Sequence, residues 1–391
     1  MRGRVSVMSL RTEIYWECIN KYGEELCGDK VESIQSPKET IMVMADGLGS
    51  GVKANILSTL TTKIAVTMLK EGSTIEETVE TMVSTLPICN VRKIAYSTFT
   101  IVRINSKGHC YIAEYGNPTI FLLKQGRITK PQGKMCIIAG REVMESRLML
   151  EEGDTLIAVS DGVVHAGVGG ILNLGWQWKN IAQYIEKVSG WEKTTRGLVK
   201  LLSNVTLKPG DDATVVALKA IAPRRITLFT GPPQNPEDDD RVVERLMETS
   251  GKKVVCGGTA AQIVARVLDR EIVTSTEFID PQIPPTASIS GIDLVTEGVL
   301  TLARAREIIH MYTKPDLRNT DINLLTQEDG ASMLAKTLVD ATDITFLMGK
   351  AVNPAHQNPD FPRDLSIKLN IVKEIIKDLK LMGKLVSTSY F

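Results

Sequence analysis

The sequence predicts an α+β protein of two domains. About 220 residues of layered helices and antiparallel strands come first, followed by a smaller α/β domain with a mostly parallel sheet. Three observations carry this. From Ser97 to Leu123 the apolar residues recur with period two and are broken by turn residues, the pattern of consecutive hairpins. Helical segments cluster on either side of those strands instead of alternating with them, which favours α+β layers over βαβ units. After Arg225 strands and helices alternate, as in a parallel sheet.

Ile41 to Ala45 is a short continuous apolar run, as expected of a buried strand. It ends in the turn DGLGSG. Val52 to Leu69 follows with helical spacing, and Ile56, Leu60, Ile64 and Met68 are its expected core face. Ser73-Thr74-Ile75-Glu76 reads as a capping box opening a second helix, stopped near Pro87. Strands are expected at 97–104, 109–115, 119–123 and 155–160, helices within 173–203, and a last strand at 213–218. The boundary is placed at Ile221-Ala222-Pro223-Arg224-Arg225, where proline ends one strand-like run and another begins. The expected domains are thus 1–220 and 225–391. In the second, strands are expected at 225–230, 252–256, 271–276, 290–295 and 343–348, and helices at 236–250, 259–268, 299–313, 329–341 and 363–383.

Composition narrows the function. The 391 residues carry 46 Lys and Arg against 46 Asp and Glu, so formal charge is zero. Nucleic-acid binding needs an excess of cations, and a 5% aromatic content offers little for base stacking. The neutrality divides into +3 over residues 1–220 and −3 over 221–391. No apolar run reaches the ~18 residues of a membrane span, and MRGRVSVMSLRTE has no signal-like apolar stretch. Cys18, Cys27, Cys89, Cys110, Cys136 and Cys256 form no CxxC pair, so reduced thiols of a cytoplasmic protein are expected. Four scattered histidines argue against a zinc site.

Three acidic sites share one context. Asp46 follows a strand and precedes Gly47; Asp161 follows a strand and precedes Gly162; Asp211 and Asp212 precede a strand. Each alone also reads as a turn, since Asp-Gly is a common turn dipeptide. As a set, converging carboxylates would suit Mg²⁺ or Mn²⁺, and two such ions could present an activated water to a phosphate. DGLGSG is no dinucleotide fingerprint, because position 52, where the third glycine belongs, is Val52.

The segments GDKVES, MVMADGLGSGVKA, AYSTFTIVRI, GHCYIAEYGNP, LIAVSDGVVHAG and PGDDATVVAL, in that order, resemble the metal-dependent type 2C protein phosphatases. They are most similar to the bacterial branch named for stage II sporulation protein E, over about residues 12–220. The resemblance implies a four-layer αββα sandwich with two Mn²⁺ or Mg²⁺ ions. It implies that Asp46 bridges both ions, that the Gly47 carbonyl binds one, and that Asp161 and Asp211 hold the second. Asp29 would act through metal-bound water. Asp212 stands where many eukaryotic relatives have asparagine and would orient its neighbour, and Asn117 falls in a family loop of structural role. The implied reaction is hydrolysis of phosphoserine or phosphothreonine by a metal-activated water, on a phosphorylated regulatory protein such as an anti-sigma-factor antagonist. The phosphate-holding arginine of eukaryotic relatives has no clear counterpart; Lys21 is nearest and is not assigned. His165, four residues after Asp161, reads either as a general acid or, more simply, as a loop histidine.

No family is identified from the residues of 225–391. Pro236 and the acidic run after it read as a helix start. Val254 to Ala261 reads as strand, glycine turn and helix. Gly257, Gly258 and Thr259 there are either an anion or ligand site for a small-molecule or nucleotide effector, or a tight turn. Cys256 is read as a buried thiol. Leu365, Leu369, Val372, Ile376, Leu379 and Met382 form one face of the last long helix, with Lys368, Lys373, Lys377, Lys380 and Lys384 on its solvated side. The expected protein is a metal-dependent serine/threonine phosphatase modulated by its second domain. Its expected partners are the phosphoprotein substrate, that effector and a second copy in a homodimer, without nucleic acid or membrane. The alternatives are a phosphatase fold kept as sensor or scaffold, and a hydrolase of small-molecule phosphates.

Overall fold

The computed structural model describes residues 9–86, 97–166, 175–190, 192, 195–205, 210–275, 283–313, 324–351 and 364–391. Pro87, Cys89, residues 173–174, Pro209, residues 276 and 363 and the side chain of Leu365, all used above, lie outside the described residues. The chain divides into two units, Met1–Ala222 and Pro223–Phe391.

The first unit holds two antiparallel sheets. One has the order β1 (Arg11–Ile19), β11 (Ala213–Ile221), β10 (Thr155–Val159), β6 (Phe121–Lys124), β7 (Arg127–Thr129). The other has the order β2 (Asp29–Gln35), β3 (Glu39–Gly47), β4 (Ser97–Asn105), β5 (His109–Tyr115), β9 (Arg141–Met149), β8 (Gly133–Ile138). Alternation along each strand sorts side chains between layers. Met42, Met44, Val102 and Ile112 of one sheet share a core with Leu156, Ala158, Val216 and Leu218 of the other. Their neighbours Ile41, Val43, Ile101 and Ala113 turn the other way, onto Ala65 and Leu69 of α1 (Gly51–Lys70) and Val79 and Met82 of α2 (Ile75–Thr85). Ile157, Val159, Val215 and Ala217 likewise meet α4 (Gln177–Ser189) and α5 (Thr195–Val205). The result is the four-layer αββα sandwich.

Several local expectations need correction. The strands β1, β2, β7, β8 and β9 were not anticipated, nor in the second unit those at Ala287–Ser288 and Leu385–Tyr390. The capping box sits one residue later than the sequence pattern suggests: Glu77 N–H donates to Thr74 Oγ1 (3.1 Å) and Thr74 N–H to Glu77 (2.8 Å). The buried face of α1 is not the Ile56, Leu60, Ile64, Met68 stripe. It is Ala54, Leu57, Ser58, Thr61, Thr62, Ala65, Val66 and Leu69, while Val52, Ile56 and Leu60 are exposed. Small residues let α1 lie close on its sheet. The buried hydroxyls cost little because Thr61 and Thr62 donate to the carbonyls of Leu57 and Ser58, four residues back (2.8 and 3.0 Å).

The second unit has one sheet, with the order β14 (Val273–Thr274), β15 (Ala287–Ser288), β16 (Leu294–Thr296), β13 (Lys252–Cys256), β12 (Arg225–Thr230), β17 (Asp343–Met348), β18 (Leu385–Tyr390). Pairing is parallel from β16 to β18 and antiparallel at β14 and β15. Leu228, Val254 and Phe346 pack on α8 (Val299–Tyr312), α9 (Gly330–Asp340) and α10 (Asp364–Leu381). Phe229, Val255 and Leu347 pack on α6 (Asp239–Glu248) and α7 (Gly258–Leu268). The strand expected at 271–276 shrinks to an exposed pair of residues, and that at 290–295 starts only at Leu294, because Gly291 holds a turn at φ +79°. Pro236–Asp238 is a single 3₁₀ turn ahead of α6. Among the described side chains of α10 the buried apolar ones are Val372, Ile375 and Leu379, with Ile376 only partly buried.

Candidate metal centre

The candidate aspartates come from different strands and are brought together by register. Antiparallel pairing of β2 with β3 sets Asp29 opposite Asp46. Pairing of β10 with β11 carries Asp161, the first residue of the short helix α3 (Asp161–Val164), beside the turn at Asp211–Asp212. At Gly162 a β-carbon would stand 2.0 Å from the Asp212 carbonyl oxygen, and at Gly47 one would stand 2.1 Å from the Ala54 carbonyl oxygen. Neither glycine has positive φ. Both are glycine because two backbones meet there, whereas Gly49 and Gly51 in the same loop do have positive φ, +104° and +68°.

The electrostatics follow from five acidic groups, of which Asp29 and Asp212 are buried. Burial, and then Asp161, Asp211 and Asp212 in turn, push Asp46 up to about 7. Burial and Asp211 raise Asp161, offset in part by His165. Burial and then Asp46 raise Asp29 well above the carboxylate range, and the Ser160 and Thr214 hydroxyls offset part of that rise. Neither hydroxyl makes a hydrogen bond of ordinary geometry to it: among the described residues both buried Asp29 oxygens lack a hydrogen-bond partner, as does Asp212 Oδ2. The other Asp212 oxygen accepts from the Lys21 backbone N–H (2.9 Å), and the Asp212 N–H donates to Asp211 Oδ1 (3.0 Å). Ser97 Oγ donates to the Asp46 carbonyl (2.9 Å).

The donor set is oxygen only, and three of its buried oxygens lack a proton donor. That chemistry suits a hard divalent cation. Among the described residues, no three His, Cys, Asp or Glu side chains stand close enough to enclose one ion. Carboxylates that raise one another in this way repel, and a cation between them would draw them in.

Residues 36–221 match the family model for stage II sporulation protein E. They form a stage II sporulation protein E domain. The domain resembles the solved PP2C phosphatase domain, with a fragment of the regulatory domain, of the cell fate determinant SpoIIE from Bacillus subtilis. Identity there is 21%, over 55% of this chain and 65% of that one, with a TM-score of 0.48. The RsbU and RsbW domains of a Mycobacterium tuberculosis protein match at 18% identity over 62% of this chain and 70% of that one, TM-score 0.46. RsbX in complex with magnesium matches at 21% over 54% and 96%, TM-score 0.41. The chain thus spans 65% of the length of the first of these structures. No curated protein matches it.

Elsewhere in the SpoIIE domain, Asn117 lies between Thr98 and Thr100, accepting from the first hydroxyl and donating to the second (3.0 Å), which ties the loop to β4. His165 is exposed, and its backbone N–H donates to the Asp161 carbonyl (2.8 Å). Sequence reasoning missed Ser160, Thr214, Cys18 and Cys27. Cys18 stands opposite Thr214 across β1 and β11. The neighbouring Cys27 thiol lowers Cys18 to about 7, and Cys18 in turn raises Cys27.

In the second unit, Gly257 (φ +115°) ends β13 and Gly258 opens α7, with Thr259 in its first turn. A β-carbon on Gly257 would stand 3.3 Å from Lys368 Nζ. Lys368 is therefore not among the solvated lysines of α10. Burial lowers it, while Cys256 and Glu297 pull the other way. Cys256 is wholly buried and pushed up to about 11, its Sγ donating to the Glu297 carbonyl (3.0 Å).

Proposed function

We propose that this chain is a divalent-cation-dependent phosphatase that cleaves phosphoserine or phosphothreonine on a regulatory protein, at a rate set by its second unit. The observation that supports this most is the raising of Asp46 by burial and then by Asp161, Asp211 and Asp212, and of Asp161 by burial and then by Asp211. Magnesium in the RsbX structure supports the class of ion. On this reading Asp46, the Gly47 carbonyl, Asp161 and Asp211 would hold two Mn²⁺ or Mg²⁺ ions. When bound, such ions neutralise charge on the phosphate oxygens and acidify water.

The chain's own residues do the rest. Asp212, held by the Lys21 N–H, donates its own N–H to Asp211 and so fixes that carboxylate's rotamer. Asp29, whose two buried oxygens have no hydrogen-bond partner among the described residues, would accept from a water held in the site. The Ser97 hydroxyl anchors the Asp46 backbone where β3 ends. An anionic effector at Gly257, Gly258 and Thr259 would find Lys368 beside it.

Hydrolysis of p-nitrophenyl phosphate and of a phosphopeptide, with and without Mn²⁺, tests the reading. Asp46→Asn should fall by about a hundredfold or more, since even supporting residues cost 10–100-fold. Equal inactivity of wild type and variant would sink the enzyme and leave a scaffold.

A further inference from the structure

The SpoIIE domain has a cleft of about 270 Å³ at the ends of β10 and β11 that point away from the aspartates. Asp161 comes after β10 and Asp211 before β11, whereas the cleft is lined by Thr155, which opens β10, and by Lys219, near the end of β11. At about 3.3 Å per residue, the run from Thr155 to Asp161 sets the two places roughly 20 Å apart. The β6–β7 turn, the β9–β10 turn and the start of α5 form the walls.

Two independent observations give the cleft a chemistry. The first is Thr195, the first residue of α5, which lines it. Thr195 is 2% exposed, and its Oγ1 is buried with no hydrogen-bond partner. A buried hydroxyl left unpaired is costly, and a ligand in the cleft would supply the missing partner. The second is an excess of acceptors. Among the described lining residues Glu151, Glu152, Asp154 and Glu192 are acidic, and Lys219 alone is basic. The adjacent Lys124 shows what the β9–β10 turn selects: its ammonium pairs with Glu151 (3.0 Å) and with Asp154 (3.4 Å). The buried side chains of Leu123 and Leu198 add an apolar floor.

We propose that this cleft binds a small organic cation, an alkylammonium with a short aliphatic stem of the diamine or triamine class. The ammonium donates to the carboxylates of the β9–β10 turn and to Thr195 Oγ1, and the stem lies on Leu123 and Leu198. A bare metal ion fits less well, since it demands oxygen on every side and the floor is apolar. An anion would meet the acidic wall.

The position has a consequence for the fold. The Gly153 N–H donates to the Ala220 carbonyl (2.8 Å), and the Ala220 N–H donates to the Asp154 carbonyl (2.8 Å). The turn that supplies the carboxylates is therefore tied to the last residues of β11, the strand by which the chain leaves the SpoIIE domain. A ligand held there stabilises that end of the sheet by mass action. None of this rests on the phosphatase reading.

The test uses the full chain with Mg²⁺ in excess, so that the distant aspartates do not capture the amine. Calorimetric titration with spermidine should show saturable binding, with a dissociation constant of about 1 mM or tighter, and the unfolding temperature should rise with the amine. Thr195→Val should weaken binding about tenfold and Thr195→Ser should restore it. Glu152→Gln should weaken it too, and Asp46→Asn should bind as wild type does. Thermal unfolding without ligand shows that each variant folds. Wild-type protein that binds neither spermidine nor putrescine saturably would overturn the proposal. Binding that Thr195→Val and Glu152→Gln both leave unchanged would also overturn it, because the amine would then sit elsewhere. Binding lost in Asp46→Asn would assign the amine to the aspartates and overturn it likewise. Equal binding of 1,4-butanediol, which has the stem but no charge, would overturn the cationic class.

Discussion

At Gly162 any β-carbon must displace the Asp212 carbonyl, 2.0 Å away, and with it the turn that carries two of the candidate carboxylates. Gly162→Ala should therefore cost about 1–3 kcal/mol, as overpacking does, and weaken Mn²⁺ binding; thermal unfolding and calorimetry read the two effects. The sequence reading saw the Asp-Gly pairs but took their glycines for turn formers. Close approach depends on a strand far along the chain and has no local signature. Glu114 carries a different prediction. It is buried, accepts from the Ile120 N–H (2.7 Å), and burial pushes it up to about 7. Between pH 4.5 and 7 the folded state then binds more protons than the unfolded chain, so stability falls as pH rises. Glu114→Gln should remove that slope. The variant should be more stable than wild type at pH 8, on the order of 2–3 kcal/mol, and no more stable at pH 4.5, as measured by denaturant unfolding.

Strands buried on both faces, such as β3 and β10, were legible because their apolar runs are continuous. The hairpin of β4 and β5 was legible from its turn. In contrast, β1, β2, β8 and β9 interleave charged residues with apolar ones, and only their pairing partners make them strands. Because β2 went unseen, Asp29 was named only through the family resemblance; its place opposite Asp46 comes from the register of β2. Helix α1 was found but turned the wrong way, because periodicity marks an apolar face without saying whether a larger or a closer-packing face lies inward. Ile56→Gln should shift stability by no more than about 0.5 kcal/mol, as surface changes do. Ala65→Leu, on the buried face, should cost about 1–3 kcal/mol. Unfolding midpoints of the two variants decide which face packs.

On the scale of the whole chain, the apolar cores among the described residues fall on either side of Ala222: three within the first unit and two within the second. Each half should fold alone, so residues 1–222 and 223–391, made separately, should each unfold cooperatively by circular dichroism. Comparing the hydrolytic rate of residues 1–220 with that of the full chain tests whether the second unit sets it; identical kinetics, with and without nucleotides, would end that idea. The formal neutrality of the chain conceals these two bodies of opposite sign, and composition alone could not assign either of them a task. The pairing of β1 with β11 has one more consequence. Arg11 lies opposite Ile221, so the polypeptide enters and leaves the four-layer body one strand spacing apart. A module whose entrance and exit share a doorway can be spliced into the surface loop of another protein, or have its ends joined and be reopened elsewhere, without stretching the chain. Its first strand, however, must wait some 200 residues of synthesis for its neighbour to emerge.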